Sequence, residues 1–152
     1  MNEEPEPYEV FAEQMETRFP KMFEDSYGGF ACGEGWWPII ETLCANIQSH
    51  IDWKINTREK LLEANPYNHP IPDAVEQVVV NQIKEKFGGL RFYYSGGDDV
   101  VEGMITMAEA WASKSCEECG SPATKHTTGW IKSVCDKHFD EIEARKKERL
   151  VK

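Results

Sequence analysis

Apolar residues recur at helical spacing near the start of the chain. The first stripe begins at Tyr8, and Pro20 should end this helix because a proline ring disfavours α conformation in the residue before it. A second stripe predicts a helix from about Trp36 to about Trp53, with Pro38 in its first turn, where a missing N–H has no cost. The residues of the two stripes are Tyr8, Phe11, Met15 and Phe19, then Trp36, Ile40, Leu43, Cys44, Ile47 and Ile51.

Two more helices are predicted in the second half of the chain. One begins after Asp98, a good N-cap residue, ends near Ser113 and leads straight into Cys116. The last helix starts near Asp136, and because it is polar almost throughout, its far end should project into solvent. The predicted apolar face of the third helix consists of Val101, Met104, Ile105, Ala108, Trp111 and Ala112.

Between the second and third helices the pattern changes to that of strands. β-Branched residues crowd positions 78–83 and LRFYY fills 90–94, with Gly88-Gly89 between them and a turn expected near Lys86-Phe87. A helix over 74–87 stays open as an alternative, since its valines also suit a 3.6-residue period. The earlier stretch DSYGGFACGEG reads as a glycine-rich loop. These elements predict an α+β fold, with helices and a small antiparallel hairpin or sheet.

The most specific pattern is Cys116-x-x-Cys119, then fifteen intervening residues, then Cys135-x-x-His138. Three thiolates and one imidazole are ligands that zinc prefers, and zinc in structural sites takes four of them as a tetrahedron. Gly120 permits the tight turn after the first pair, because glycine tolerates a positive φ. Residues three apart face the same side of a helix, so the second pair can converge at the start of the last helix. His126 is the second-choice ligand.

A knuckle, a hairpin with its turn near Thr128-Gly129 and a helix resemble a treble-clef zinc finger. Four protein ligands leave no open position for a catalytic water, so we expect a structural zinc ion, with Trp130 and the third helix packed around it. The expected organisation is a loose acidic N-terminus over 1–7, an α+β body over 8–114 and the finger with its helix over 115–152.

The composition is that of a soluble globular protein, with 29% charged and 40% hydrophobic residues and a net charge of −10. Such a charge repels nucleic acid and favours basic partners, although the tail from Arg145 onward is locally basic. No segment is apolar enough to cross a membrane, and MNEEPEPYEV has no secretory pattern. We therefore expect a cytoplasmic protein that acts without a membrane.

Enzyme signatures are poor, so we expect a binding protein and not an enzyme. No GxSxG, HExxH or phosphate-loop pattern occurs in the sequence. Two stretches are candidate partner-binding sites. Trp36 and Trp37 cannot both face the core of one helix, so one alternative is an exposed tryptophan at a binding surface, and the other is a helix N-terminus covered by a folded-back loop. Arg91 and Tyr93 should share the outward face of a strand, where they could meet a phosphate, a base or a carboxylate.

The combination of GEGWWPIIETLC, KEKFGGLRFYYSGG, CEECGSPA and TGWIKSVCDKH resembles a set of small zinc-finger proteins encoded by tailed phages and prophages. The resemblance covers most of the chain and implies an accessory protein made inside an infected bacterium. The leading hypothesis is therefore binding to a host protein, with inhibition of a bacterial defence component as one form of it. The alternatives are a nucleic-acid-binding regulator that uses the finger and the basic tail, and a protein that sequesters a nucleotide.

Overall fold

Helices and short strands alternate along the chain, and the computed structural model describes residues 3–24 and 29–152. The α+β prediction is confirmed. The elements, in chain order, are α1 (Pro7–Arg18), β1 (Phe30–Ala31), a 3₁₀ turn (Glu34–Trp36), α2 (Trp37–Glu63), β2 (Glu76–Lys86), β3 (Gly89–Gly97), α3 (Asp99–Ser113), β4 (Lys125–His126), β5 (Ser133–Val134) and α4 (Asp136–Val151).

The helix boundaries match the sequence except at the end of α2. Helix α1 stops at Arg18, just before the Phe19-Pro20 pair, and Asp98 caps α3 by accepting a hydrogen bond from the Val101 N–H. Helix α2 runs ten residues beyond the predicted end at Trp53. The apolar stripe fades after Ile51, but TREKLLE consists largely of good helix formers and carries the helix on. In the described part of the chain, no helix has the length and apolar character needed to span a membrane.

The strand prediction for the middle of the chain is confirmed, and the alternative helix over 74–87 is wrong. Strands β2 and β3 form an antiparallel hairpin whose turn lies at Phe87 and Gly88, both with positive φ, one residue beyond the predicted position. Strand β1 adds to the other edge of β2 in parallel, with Phe30 opposite Ile83. The glycine-rich stretch is therefore not all loop. Residues 25–28 of that stretch lie outside the described residues.

One face of the sheet packs against α2 and α3, and the other face is open. Leu90 and Phe92 of β3 are buried, whereas Arg91 is partly exposed and Tyr93 is 39% exposed, as strand alternation predicts. Helices α2 and α3 contact each other along the same side of the sheet. The fully buried centre of this core consists of Trp36, Met15, Met22, Ile40, Ile47, Ile51, Ile83, Leu90, Val78, Val80 and Val101.

Candidate metal centre

The four predicted ligands converge at the junction of α3, the β4–β5 hairpin and α4. The Sγ atoms of Cys116, Cys119 and Cys135 and a ring nitrogen of His138 all lie within 4.8 Å of one another. The Cys135 Sγ and Cys116 Sγ atoms are 3.2 Å and 3.6 Å from His138 Nδ1, and Cys119 Sγ is 3.9 Å from Cys135 Sγ. These four residues could hold a metal ion.

The spacing of the donor atoms fits zinc. Tetrahedral zinc with bonds of about 2.3 Å to sulfur and about 2.0 Å to nitrogen separates its ligands by roughly 3.5–3.8 Å. The three distances above bracket that range. Three soft sulfur donors and one imidazole also favour zinc over magnesium or calcium, which take oxygen ligands. His126 lies exposed on β4 and is not part of the cluster.

Local hydrogen bonds favour the thiolate form that metal binding requires. The hydroxyl and the backbone N–H of Ser121 lower the pKa of Cys119 to about 6. Burial raises the pKa of Cys116, and the backbone N–H groups of Cys135, Cys119 and Glu118 oppose that rise. Such N–H donors directed at one sulfur are what a bound thiolate needs once it is removed from water.

Helix α4 presents the second pair of ligands from its first turn. Cys135 is the N-cap residue, and the first helical turn carries His138 onto the same side. The other ring nitrogen, Nε2, lies 3.8 Å from a carboxylate oxygen of Glu141. That distance is too long for a hydrogen bond, whereas Nδ1 is the ring nitrogen that lies within 3.6 Å of the Cys116 and Cys135 sulfur atoms. His138 would therefore bind a metal through Nδ1.

The knuckle that contains Cys116 and Cys119 is attached to the glycine-rich loop before α2. The Gly35 N–H donates to the Glu117 carbonyl at 2.8 Å, and the Gly33 N–H donates to the Glu117 carboxylate at 3.0 Å. The Trp36 Nε1–H donates to the Ser115 carbonyl at 3.0 Å inside the protein. The sequence GEGW therefore serves as a backbone support for the metal site.

A second contact joins the finger to the turn of the β2–β3 hairpin. The Glu117 N–H donates to the Ser133 carbonyl at 3.0 Å, and the buried Ser133 hydroxyl donates to the Gly88 carbonyl at 2.7 Å. A side chain at Gly88 would lie 3.2 Å from both Ile131 and Ser133, so glycine suits this approach as well as its positive φ. The four sequence blocks of the resemblance thus meet at one place, which sequence spacing alone did not reveal.

The structure corrects the interpretation of the tryptophans. Trp36 is fully buried, and Trp37 is half-buried with its ring stacked on Phe11 at 4.6 Å, so the exposed alternative is wrong and the covered helix N-terminus agrees with the structure. Trp130 does not cover the metal cluster, because it is 75% exposed. Trp111, expected in the core, is 60% exposed. Trp111 and Trp130 therefore lie on the faces of α3 and of the β4–β5 hairpin that turn away from the core.

The other predicted partner-binding residues lie on the open face of the sheet. Tyr93 is exposed there opposite Gln82, and Arg91 lies opposite Lys84 on the neighbouring strand. The Arg91 side chain donates to the Leu90 carbonyl at 3.0 Å. Their role in binding a partner stays a prediction.

A surface that the sequence did not indicate lies between α2 and α3. It is a groove of about 520 Å³, and its most exposed residues are Met107 at 72% and Trp111 at 60%. The helical spacing of these two residues was a signal, but α3 is apolar around most of its circumference, so the pattern did not show which side faces solvent. The remaining wall consists of Pro38, Ile39, Thr42, Leu43, Asn46, Met104 and Ala108.

Comparisons of the chain with protein-family models, with curated proteins and with solved structures find no match. The resemblance to phage-encoded zinc-finger proteins therefore stays a prediction. Function has to be inferred from the chemistry of the metal centre and of the surfaces beside it.

Proposed function

We propose that this chain is a non-enzymatic binding protein, stabilised by a structural zinc ion, that takes a helix of another protein into the groove between α2 and α3. The observation that supports the proposal is the exposure of Met107 and Trp111 at the mouth of an apolar groove. Tryptophan is enriched among residues that dominate binding energy, and methionine adapts to differently shaped partners. A groove between two helices is a common seat for a third, amphipathic helix.

The charge of the protein favours a basic partner. Helix α3 carries only acidic charges: Asp99 and Glu102 are exposed, whereas Glu109 accepts a hydrogen bond from the Phe92 N–H of β3, and the whole chain has a net charge of −10. A partner helix with apolar anchors and flanking Lys or Arg residues would be attracted by this field. A second copy of the same chain is a poorer occupant, because two proteins of charge −10 repel each other. The groove therefore suits a different, basic protein.

The metal centre supports one end of the groove, where α2 begins and α3 ends. Helix α3 ends at Ser113, and only two residues separate it from Cys116. The loop that leads into α2 is hydrogen-bonded to Glu117. Trp111 lies in the last turn of α3, and its carbonyl accepts a hydrogen bond from the Ser115 hydroxyl at 3.0 Å. Zinc with four protein ligands has no position left for a substrate, so its role here is to fix these ends.

We take the place of this interaction from the resemblance to phage-encoded proteins. In that setting the chain is an accessory protein in the cytoplasm of an infected bacterium. Its partner is a host protein, and we expect this host protein to be a defence component. Binding by an acidic protein is compatible with a target whose own ligand is nucleic acid, because carboxylates can occupy a groove built for phosphates. The identity of the partner has to come from experiment.

The decisive test uses two exposed tryptophans on different surfaces. Tagged zinc-loaded protein, Trp111→Ala and Trp130→Ala are used to capture partners from nuclease-treated bacterial lysate, identified by mass spectrometry. We expect one partner that wild type and Trp130→Ala retain and Trp111→Ala loses. Binding of the purified partner to Trp111→Ala should weaken about 30-fold, or about 2 kcal/mol, as for a tryptophan hot spot.

Two results would contradict the proposed function. One is a partner that all three proteins capture equally, because the groove would then not be the contact surface. The other is the absence of any partner that survives nuclease treatment. Circular dichroism and thermal unfolding of the three proteins serve as folding controls, since both tryptophans are mostly exposed and their replacement should leave the core intact.

A further inference from the structure

A small cleft lies between the β4–β5 hairpin and α4, on the finger and away from the apolar groove. Its volume is about 240 Å³, and its lining combines an exposed tryptophan with basic side chains. In a chain of net charge −10 this concentration of positive charge is a local exception. The residues that matter for its chemistry are Trp130, Lys132, Ile142, Arg145, Lys146 and Arg149.

The charges in the cleft are unbalanced. Lys132 is paired with Glu118 at 2.6 Å, and Lys146 is paired with Glu143 at 3.0 Å. Arg145 and Arg149 have no carboxylate partner among the residues that the structure describes; the Arg145 Nε–H donates only to the Glu141 backbone carbonyl, at 3.4 Å. Two arginines four residues apart on a helix are neighbours and repel each other. An anion placed between the two guanidinium groups would remove that repulsion and accept hydrogen bonds from both.

The tryptophan is exposed on a loop whose backbone is fixed. The buried Thr127 hydroxyl donates to the Trp130 carbonyl at 2.6 Å and accepts from the Lys132 N–H at 2.8 Å. Lys146 of α4 donates to the Thr128 carbonyl at 2.9 Å and so joins the loop to the helix. The indole is nevertheless 75% exposed. A preorganised, exposed aromatic ring is the arrangement on which nucleobases stack.

From this combination we infer that the cleft binds a nucleotide unit, with the base stacked on Trp130 and the phosphate held by Arg145 and Arg149. The unit can come from a free nucleotide or from a single-stranded nucleic acid, since both offer the same base and phosphate. The small volume suits one such unit and not a duplex. This inference does not depend on the groove between α2 and α3, which uses other residues.

The test measures binding of two probes to zinc-loaded protein at low salt. One probe is a fluorescein-labelled ten-residue oligothymidylate, followed by fluorescence anisotropy, and the other is adenosine monophosphate, followed by calorimetry. Trp130→Ala should weaken binding about tenfold, because stacking contributes about 1–3 kcal/mol per base. The double variant Arg145→Gln/Arg149→Gln should weaken binding and lower the salt dependence by about one phosphate contact.

The matched control is Lys21→Gln/Lys60→Gln, which removes the same number of positive charges from two exposed lysines that do not line the cleft. We expect this variant to bind as wild type does. Binding of the oligonucleotide alone would assign the site to single strands, and binding of the mononucleotide would assign it to free nucleotides. The inference is overturned if neither probe binds at low salt, if the control loses binding as much as the arginine variant, or if Trp130→Ala binds normally. Inorganic phosphate that competes as well as the mononucleotide would also overturn it, because the base would then contribute nothing.

Discussion

Replacing Gly35 with alanine tests whether the loop before α2 supports the metal centre. A Cβ at this position would lie 2.2 Å from the Cys116 carbonyl oxygen, 2.5 Å from the Gly120 nitrogen and 2.7 Å from the Glu117 carbonyl oxygen. All three atoms belong to the backbone of the knuckle, so no side chain can rotate away. Ordinary carbon–oxygen contacts begin at about 3.3 Å, so the loop and the knuckle must separate by about 1 Å.

The size of the effect follows from the bonds that such a shift would break. Two bonds join the loop to the knuckle, from the Gly35 N–H to the Glu117 carbonyl at 2.8 Å and from the Gly33 N–H to the Glu117 carboxylate at 3.0 Å. Each buried hydrogen bond that is lost costs about 1–3 kcal/mol when its groups stay unsatisfied. We therefore expect Gly35→Ala to lower the free energy of unfolding by about 2–4 kcal/mol and to weaken zinc binding at least about tenfold.

Gly103 provides the matched control, because a Cβ there meets nothing within 4 Å. It lies inside α3, where alanine is favoured over glycine by about 1 kcal/mol, so Gly103→Ala should stabilise the protein. Urea unfolding of the zinc-loaded proteins and competition with a colorimetric chelator measure the two quantities. If Gly35→Ala unfolds within about 0.5 kcal/mol of wild type, or loses stability while holding zinc as tightly, the coupling between this loop and the knuckle is refuted.

Three further results are expected. Burial opposes ionisation of Asp98, but hydrogen bonds from Lys54 and His50 outweigh it and hold the pKa of Asp98 well below its usual range. The ionised carboxylate therefore adds to the free energy of unfolding above pH of about 4, and this stabilisation is lost as the pH falls. On acidification, Asp98→Asn should lose less free energy of unfolding in urea than wild type does, and equal losses would contradict this. Protonation of the zinc ligands affects both proteins alike, so it cancels in the comparison. Trp36→Phe removes the bond to the Ser115 carbonyl and should cost about 1–3 kcal/mol in the same assay, and an unchanged midpoint would refute it. Chelation of zinc should raise hydrogen exchange in residues 33–37 and 114–120 together, and exchange confined to the finger would contradict the proposed support of α2.

The four candidate metal ligands could be predicted from the sequence because their geometry is local. Cys116 and Cys119 are separated by a single turn, and Cys135 and His138 by the first turn of α4, so the spacing alone places each pair. Only the meeting of the two pairs requires a tertiary contact, and the short β4–β5 hairpin provides it. The alternation of Leu90 and Phe92 in β3 was equally local, because period-two burial is a property of the strand itself.

The parts that sequence reasoning missed depend on contacts between distant segments. Strand β1 has only two residues, and its pairing with β2 joins positions more than fifty residues apart, which no local pattern encodes. The exposure of Trp111 was missed because apolar residues cover most of α3, so periodicity identifies a helix without showing its buried side. For Trp36 and Trp37 the sequence left an exposed and a loop-covered arrangement open, because the hydrogen bond that holds Trp36 inside the protein is made to the distant Ser115.

The position of the metal centre explains how one small site can organise two separate surfaces. On one side, the knuckle backbone holds the loop that starts α2 and the chain that leaves α3, and so fixes the end of the groove that contains Trp111. On the other side, Glu118 of the same knuckle pairs with Lys132, and Glu143 pairs with Lys146. Arg145 and Arg149 therefore stay as the uncompensated cations of the cleft among the described residues. A domain of this size buries a limited core, and a four-ligand zinc site adds folding energy where loops, and not long elements, meet. A metal ion held by these four residues would therefore stabilise the whole protein as much as its finger.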